Sequence, residues 1–447
     1  MKQRHRYVRL LALIAVLSLV AAGCANDDDS GAADGDTTDS ASGEVDCATV
    51  EFGCVEVGAD EPLNIGTLLV LSGADQTLGQ DALYGVQLAL DYLDGAYDQT
   101  DGTLLDHPVE LASEDELCTA EGGQAGATAL AADTSIVAVI GTSCSSAALG
   151  VADTIFSDKG MLLLSPSNTN PALTTEGTHE PFYARTAHND RIQGAIVAEF
   201  SLAELGGATS AATIADESPY TQGLTAAFEQ NFEAGEGSIS GSEQINSLDT
   251  DFQPVLRTLA EGDPDVLYFP VFVAACTLLI QQAQEILPDT ALIVSDGCLS
   301  SDTVKNAGDA IDGVYASSPD LSAFEGNPAY ADEFIPAYLE SFNEEGTLSV
   351  FHAHAFDAAN ILFDAIEQVA IDNGDGSLSI PRQALRDAVF ATSAYEGLSG
   401  TITCTELGDC ATDVTIGIFE APGWPVEGGD LNAKAIYSDT KSLDDVL

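Results

Sequence analysis

Two apolar runs, Ile136–Ile140 and Met161–Leu164, stop abruptly in small hydroxyl side chains. Ser143, Ser145 and Ser146 follow the first run; Ser165, Ser167 and Thr169 follow the second. Hydroxyls at the carboxyl ends of neighbouring parallel strands, where backbone N–H groups lie open, could cradle a small carboxylate. Taken alone, the same residues read first as helix N-caps, a position that Ser and Thr favour. Covalent chemistry is disfavoured. GTSCS lacks the final glycine of GxSxG, and no Walker loop, GxGxxG or HExxH occurs, so a serine hydrolase is the weakest of the readings.

No metal or cofactor is expected either. No CxxC pair with zinc spacing is present. His352 and His354 would point about 200° apart on a helix, as solvated or core residues do. The loop Asp372–Gly376 fails as an EF-hand, because Ile371 and Arg382 stand at its first and twelfth ligand positions.

The elements that must position the hydroxyls follow an α/β rhythm. Leu63–Leu71 reads as a buried strand, and Leu83, Val86, Leu90 and Leu93 mark one face of a helix after it. Strand Val109–Ala112, helix Glu121–Ala132 and helix Ala147–Ser157 complete a first series. After Arg185 the rhythm restarts with helix Arg191–Leu205, strand Ala211–Ala215, helix Thr221–Glu233, strand Val266–Val271, helix Ala274–Leu287 and strand Ala291–Val294. Long helices at Ala329–Asn343 and His352–Ile371, then strands Thr401–Cys404 and Val414–Phe419, close the chain. Strands alternating with single helices predict two doubly wound, largely parallel sheets.

At 447 residues, two domains are the default. The chain carries 72 acidic against 13 basic residues, a formal net charge of −59. Such a surface repels phosphate backbones, which excludes nucleic acid as a partner, and it fits a saline habitat where self-repulsion is screened. Lys2, Arg4, Arg6 and Arg9 precede the apolar run Leu10–Val20 and the small residues Ala21-Ala22-Gly23 before Cys24. That is a signal peptide over residues 1–23, with Cys24 as the lipidated first residue of a lipoprotein, although Ala21 stands where Leu is commoner. Asp, Gly, Ser, Thr and Ala then predominate, so residues 24–61 are expected to be a flexible acidic tether. The other eight cysteines suit an oxidising compartment. Proximity suggests Cys47–Cys54, Cys118–Cys144, Cys276–Cys298 and Cys404–Cys410, with connectivity formally open. Closing either of the two middle loops is worth roughly 3 kcal/mol in the chain-entropy model.

From about Leu63 to Glu420 the chain resembles the branched-chain amino-acid (Leu/Ile/Val) binding proteins of ABC transporters, the type I periplasmic or Venus-flytrap kind. The resemblance rests on Ser72-Gly73 after the first strand, Gly79, the Cys118 and Cys144 pair, GTSCSS, SPSNTNPAL, ESPYTQG and the SDG after a strand. It implies two Rossmann-like lobes joined by a three-strand hinge. Lobe 1 would comprise residues 62–186 with 319–394, and lobe 2 residues 187–318 with 395–447. The crossings would fall near Arg185–Ala187, Ser317–Pro319 and Ala394–Leu398.

It also implies a site. Ser145 would bind the ligand carboxylate, with Thr169 and the main chain of Ser167 on the same group. Asp296, in place of a longer Glu, would hold the α-ammonium, and Tyr220 would close over the ligand. Leu78 and Phe272 stand where the family often has an aromatic and a Tyr, which makes the pocket more apolar. The function implied is capture of a small aliphatic amino acid by lobe closure and delivery to permease subunits, by a lipid-anchored, extracytoplasmic monomer. A sensory receptor of the same fold, or a binder of amides or short carboxylates, is the alternative.

Overall fold

The computed structural model describes residues 47–447 apart from positions 101 and 325. The expected signal peptide and Cys24 lie outside these residues. Residues 47–61, assigned to the tether from sequence, belong to the fold instead. Strand β1 (Cys54–Val57) follows the Cys47–Cys54 disulfide and pairs antiparallel with residues 378–381. Its period of two buries Val55 and Val57 and leaves Glu56 outside. Four residues are too few for that alternation to be read from composition.

Lobe 1 continues through β2 (Leu63–Leu69), α1 (Gln76–Asp91), β3 (Thr103–Leu104), β4 (His107–Asp115) and α2 (Ala120–Ala132). It is completed by β5 (Ile136–Gly141), α3 (Ser145–Val151), β6 (Leu163–Ser165) and β7 (Tyr183–Arg185). The sheet order is β3-β4-β2-β5-β6-β7, parallel except for β3 against β4. Its central strands are apolar on both faces, as strands covered by helices on both sides must be. The two runs that end in hydroxyls are adjacent: Val139 and Ile140 pair with Leu163 and Leu164.

Lobe 2 holds α4 (Asp190–Glu204), β8 (Ser210–Ala215), α5 (Pro219–Ala234), β9 (Ser238–Gln244), α6 (Gln253–Ala260) and β10 (Val266–Tyr268). It goes on through α7 (Val273–Ile286), β11 (Ala291–Val294), α8 (Ser301–Ala307) and β12 (Tyr315–Pro319). The chain then returns to lobe 1 with α9 (Leu321–Phe324), α10 (Ile335–Phe342), α11 (His352–Val369), β13 (Ile371–Asp372), β14 (Leu378–Pro381) and α12 (Arg382–Phe390). Helix α11 lies so tightly on α1 that a Cβ at Gly85 would come within 2.2 Å of the His352 carbonyl oxygen. That position admits only glycine.

The hairpin β15 (Tyr395–Glu396) and β16 (Thr401–Ile402) follows, and then β17 (Asp413–Glu420) and β18 (Tyr437–Ser442). The last two are antiparallel additions to lobe 2, whose order is β18-β17-β12-β11-β10-β8-β9. The hairpin does not open lobe 2, as the expected third crossing at Ala394–Leu398 requires. Asp357 on α11 accepts hydrogen bonds from the backbone N–H of Leu398 and Ser399, both at 2.8 Å, and pins the hairpin to lobe 1. The third crossing lies later, between the Asp409 bridge to Arg185 and the start of β17 at Asp413.

Candidate ligand-binding site

On lobe 1 the site is a stitched pair of loops. Cys144 precedes α3 and offers it no side-chain cap, so the hydroxyls around it are not consumed in capping that helix. The Cys118–Cys144 disulfide and Glu116, which accepts from the Cys144 N–H at 2.8 Å, fix the turn. The Ser145 hydroxyl accepts from the Asn170 N–H at 3.3 Å and keeps its own proton for a further acceptor. Ser167 donates to the Ser143 carbonyl at 3.2 Å, and Asn168 donates to the Thr142 carbonyl at 2.9 Å.

Beneath this loop lies Arg185, fully buried. Its guanidinium donates to the carbonyls of Asn168 and Asn170 at 3.1 and 2.9 Å, to the Thr174 hydroxyl at 2.6 Å, and to Asp409 at 2.6 Å. Asp409 sits in the small loop closed by Cys404–Cys410. A planar fork with several fixed donors is what holding two carbonyls and a carboxylate at once demands.

On lobe 2 the site is charged. Asp296 follows β11, and the Cys276–Cys298 disulfide ties its loop to α7. Its carboxylate accepts from the Gln193 amide at 2.7 Å and the Tyr220 hydroxyl at 3.2 Å. Tyr220 begins α5, shares a hydrogen bond of 2.7 Å with Ser295, and leans on Phe272 with ring centroids 5.1 Å apart. Burial raises the Asp296 carboxyl above its ordinary range, offset in part by His188, Gln193 and Tyr220.

Asp190, the first residue of α4, is more extreme. Burial together with the Asp296 charge holds its carboxyl well above the usual carboxylate range, offset only in part by the Thr169 hydroxyl and the Arg185 charge. Its backbone N–H donates to the Thr169 carbonyl at 3.0 Å. Two carboxylates buried near one another are costly to ionise together, so Asp190 is held protonated beside Asp296.

The two halves are closed on each other. Asn170 of lobe 1 donates to the Pro219 carbonyl of lobe 2 at 2.6 Å, and the Thr77 and Ser300 hydroxyls meet at 2.9 Å. The cavity left between them is about 20 Å³, the space of roughly one water. Leu78, Ser145, Ser167, Tyr220, Phe272 and Asp296 line it. Thr169 does not: it is buried behind the wall, its side chain beside Asp190.

Two participants escaped the sequence reading. Phe351, ahead of α11, closes the lobe 1 wall, and Asp190, buried behind the wall beside Thr169, lies near enough to Asp296 for its carboxyl to feel that charge. Asp190 reads in sequence as an ordinary acidic first-turn residue after the Asn189 cap, and Phe351 as the end of a loop, so neither carries a local signal. His352 and His354 are core residues. His352 bonds Asp81 through Nδ1 at 3.0 Å and shares 2.8 Å with the Tyr330 hydroxyl.

Two α/β lobes shut on a pocket with neutral hydroxyls on one side and a carboxylate on the other define a bilobed solute clamp. The comparisons agree. Residues 62–415 match the periplasmic binding protein family. A leucine-, isoleucine-, valine-, threonine- and alanine-binding protein of Pseudomonas aeruginosa is 27% identical over 61% of this chain and 68% of its own. A Leu/Ile/Val-binding protein homolog of Brucella melitensis is 24% identical over 78% of this chain and 89% of its own. Among solved structures, the leucine-binding protein LivK of Thermotoga maritima superposes with a TM-score of 0.71 at 23% identity, over 86% of this chain and all of its own. A benzoate-bound solute-binding protein of R. palustris reaches 0.69 at 19% identity, over 85% and 96%. The chain belongs to the periplasmic binding protein family, whose members are extracytoplasmic solute binders of ABC transporters and not enzymes.

Proposed function

We propose that this protein captures an aliphatic α-amino acid by lobe closure and passes it to ABC transporter permease subunits, tethered by a lipid on Cys24 after removal of residues 1–23. The division of the site carries this reading. Ser145, Ser167 and the loop that Arg185 holds present neutral donors for a carboxylate. Asp296, buried in a cavity wall that holds no basic side chain among the described residues, awaits an ammonium. A zwitterion satisfies both halves only when the lobes meet, so its binding energy shifts the clamp toward closure. Leu78, Phe272 and Phe351 give the remaining wall its apolar character. The cavity is water-sized when fully shut, so the bound state holds the lobes slightly wider.

The named relatives bind leucine, isoleucine and valine, which favours an aliphatic side chain here too. Benzoate, the ligand of one structural neighbour, has no ammonium and would bring a second negative charge to the uncompensated Asp296 carboxylate. No helix among the described residues is long and apolar enough to cross a membrane. Calorimetry of residues 25–447 against the amino acids, their amides and short carboxylates tests the reading. Leucine, isoleucine or valine should bind; failure of every α-amino acid, with a simple carboxylate binding instead, would overturn it.

A further inference from the structure

A second and far larger cavity, about 1010 Å³, opens at the hinge. It shares no wall residue with the cleft. All three crossings contribute to it: Thr186 and His188 from the first, Pro319 from the second, and residues 411–415 from the third.

Its chemistry is one-sided. The carboxylates of Glu333, Asp357, Glu396 and Asp413 belong to its wall, and no Lys or Arg does among the described residues. Asp357 is fully buried, and burial lifts its carboxyl to about 6 even though Ser399 and the Leu398 N–H donate to it. Tyr92, Tyr97 and Phe356 cluster along one side, Tyr92 and Tyr97 with centroids 4.7 Å apart and Phe356 6.0 Å from Tyr92.

His188 fixes the polarity of the inner wall. The Gln193 amide nitrogen donates to Asp296 at 2.7 Å and to the Ser317 carbonyl at 3.2 Å, so its oxygen must face the His188 Nε2 at 2.7 Å. Nε2 therefore carries the proton. Burial keeps the ring neutral, which leaves Nδ1 as a bare acceptor, and Nδ1 has no hydrogen-bond partner among the described residues. His354, also buried in this wall, has an unpartnered Nδ1 as well, and burial drives its ring down to about 3. Carboxylates without counter-ions and aromatic faces around one cavity complement one class of ligand: a positively charged N–H donor with an apolar body.

We propose that the hinge cavity is a second ligand site, selective for an organic ammonium ion. This site stands independently of what the cleft binds, although His188 and Gln193 connect its wall to Asp296.

Benzylammonium chloride, titrated calorimetrically into the full-length folded protein, is the probe, with sodium benzoate as the same ring of opposite charge. Two variants report location. Ala323→Trp places bulk in the mouth from an exposed position, and Glu333→Gln/Glu396→Gln removes two wall charges. Thermal melts confirm that each variant folds, and whichever is folded serves. The site requires that benzylammonium bind at one equivalent, that benzoate not bind there, and that a folded variant lose at least about tenfold in affinity. No binding up to about 10 mM, equal binding of benzoate, or full affinity in the folded variants would each overturn it.

Discussion

The two halves of the cleft are built on opposite principles. The lobe 1 half presents neutral groups to the cavity: Ser145, Ser167 and Asn168 are already bonded within their loops, and Arg185 clamps those loops from beneath. The lobe 2 half carries the Asp296 carboxylate, which an amide and a phenol hold and which meets no basic side chain in the cavity wall among the described residues. A pre-bonded surface loses little when the lobes part, because its partners travel with it. An unmet buried charge favours the open, hydrated state until a cation arrives. The asymmetry therefore makes the ammonium the group that commits the clamp to closing, and the carboxylate the group that sets orientation.

Substitutions should separate the halves. On the charged side, Asp296→Ala strips the ammonium of its partner in a buried site, a loss of about 3–5 kcal/mol, or roughly two to nearly four orders of magnitude in amino-acid affinity by calorimetry. On the neutral side the largest effect should fall on stability. Asp409→Asn leaves Arg185 buried without its counter-ion and should cost about 3–5 kcal/mol in denaturant unfolding, with a weaker affinity as the Asn168–Asn170 loop loosens. Ser145→Ala removes one neutral hydrogen bond to the ligand and should weaken binding by about 0.5–1.5 kcal/mol, with a small fall in melting point as the Asn170 N–H loses its acceptor.

The smallest effect should be on pH dependence. Asp75 of lobe 1 meets the Val273 N–H and faces Asp216 across the closed cleft, and burial, more than Asp216, raises its carboxyl to about 6. A carboxyl raised in the closed state favours closure when protonated. That contribution is complete below the ordinary value near 3.8 and is lost as pH rises through about 6. Between pH 5 and 7 the ratio of affinities of wild type and Asp75→Asn should therefore change severalfold, with wild type gaining at the lower pH.

Much of the neutral half was legible in sequence because its signals are local. Apolar runs ending in hydroxyls mark strand ends, and the Cys118 and Cys144 spacing marks adjacent loops. The charged half was legible only in part. Asp296 could be carried over from a resemblance, but Asp190 acquires its role from a carboxylate more than a hundred residues away, and no pattern around it differs from an ordinary helix start. The third crossing was misplaced for a similar reason: the turn-rich AYEGLSG reads as a connection between lobes, whereas a distant Asp357 holds it to lobe 1. Edge strands β9 and β18, SISGSEQ and YSDTKS, lack the apolar runs by which central strands announce themselves.

The claim that the ammonium commits the clamp is tested most directly by pairing leucine with its des-amino analogue, 4-methylpentanoate, on wild type and Asp296→Asn. The account predicts that wild type binds leucine at least about a hundredfold more tightly than the analogue, and that the variant loses most of that preference while its melting temperature is kept. Equal preference in the two proteins would contradict it.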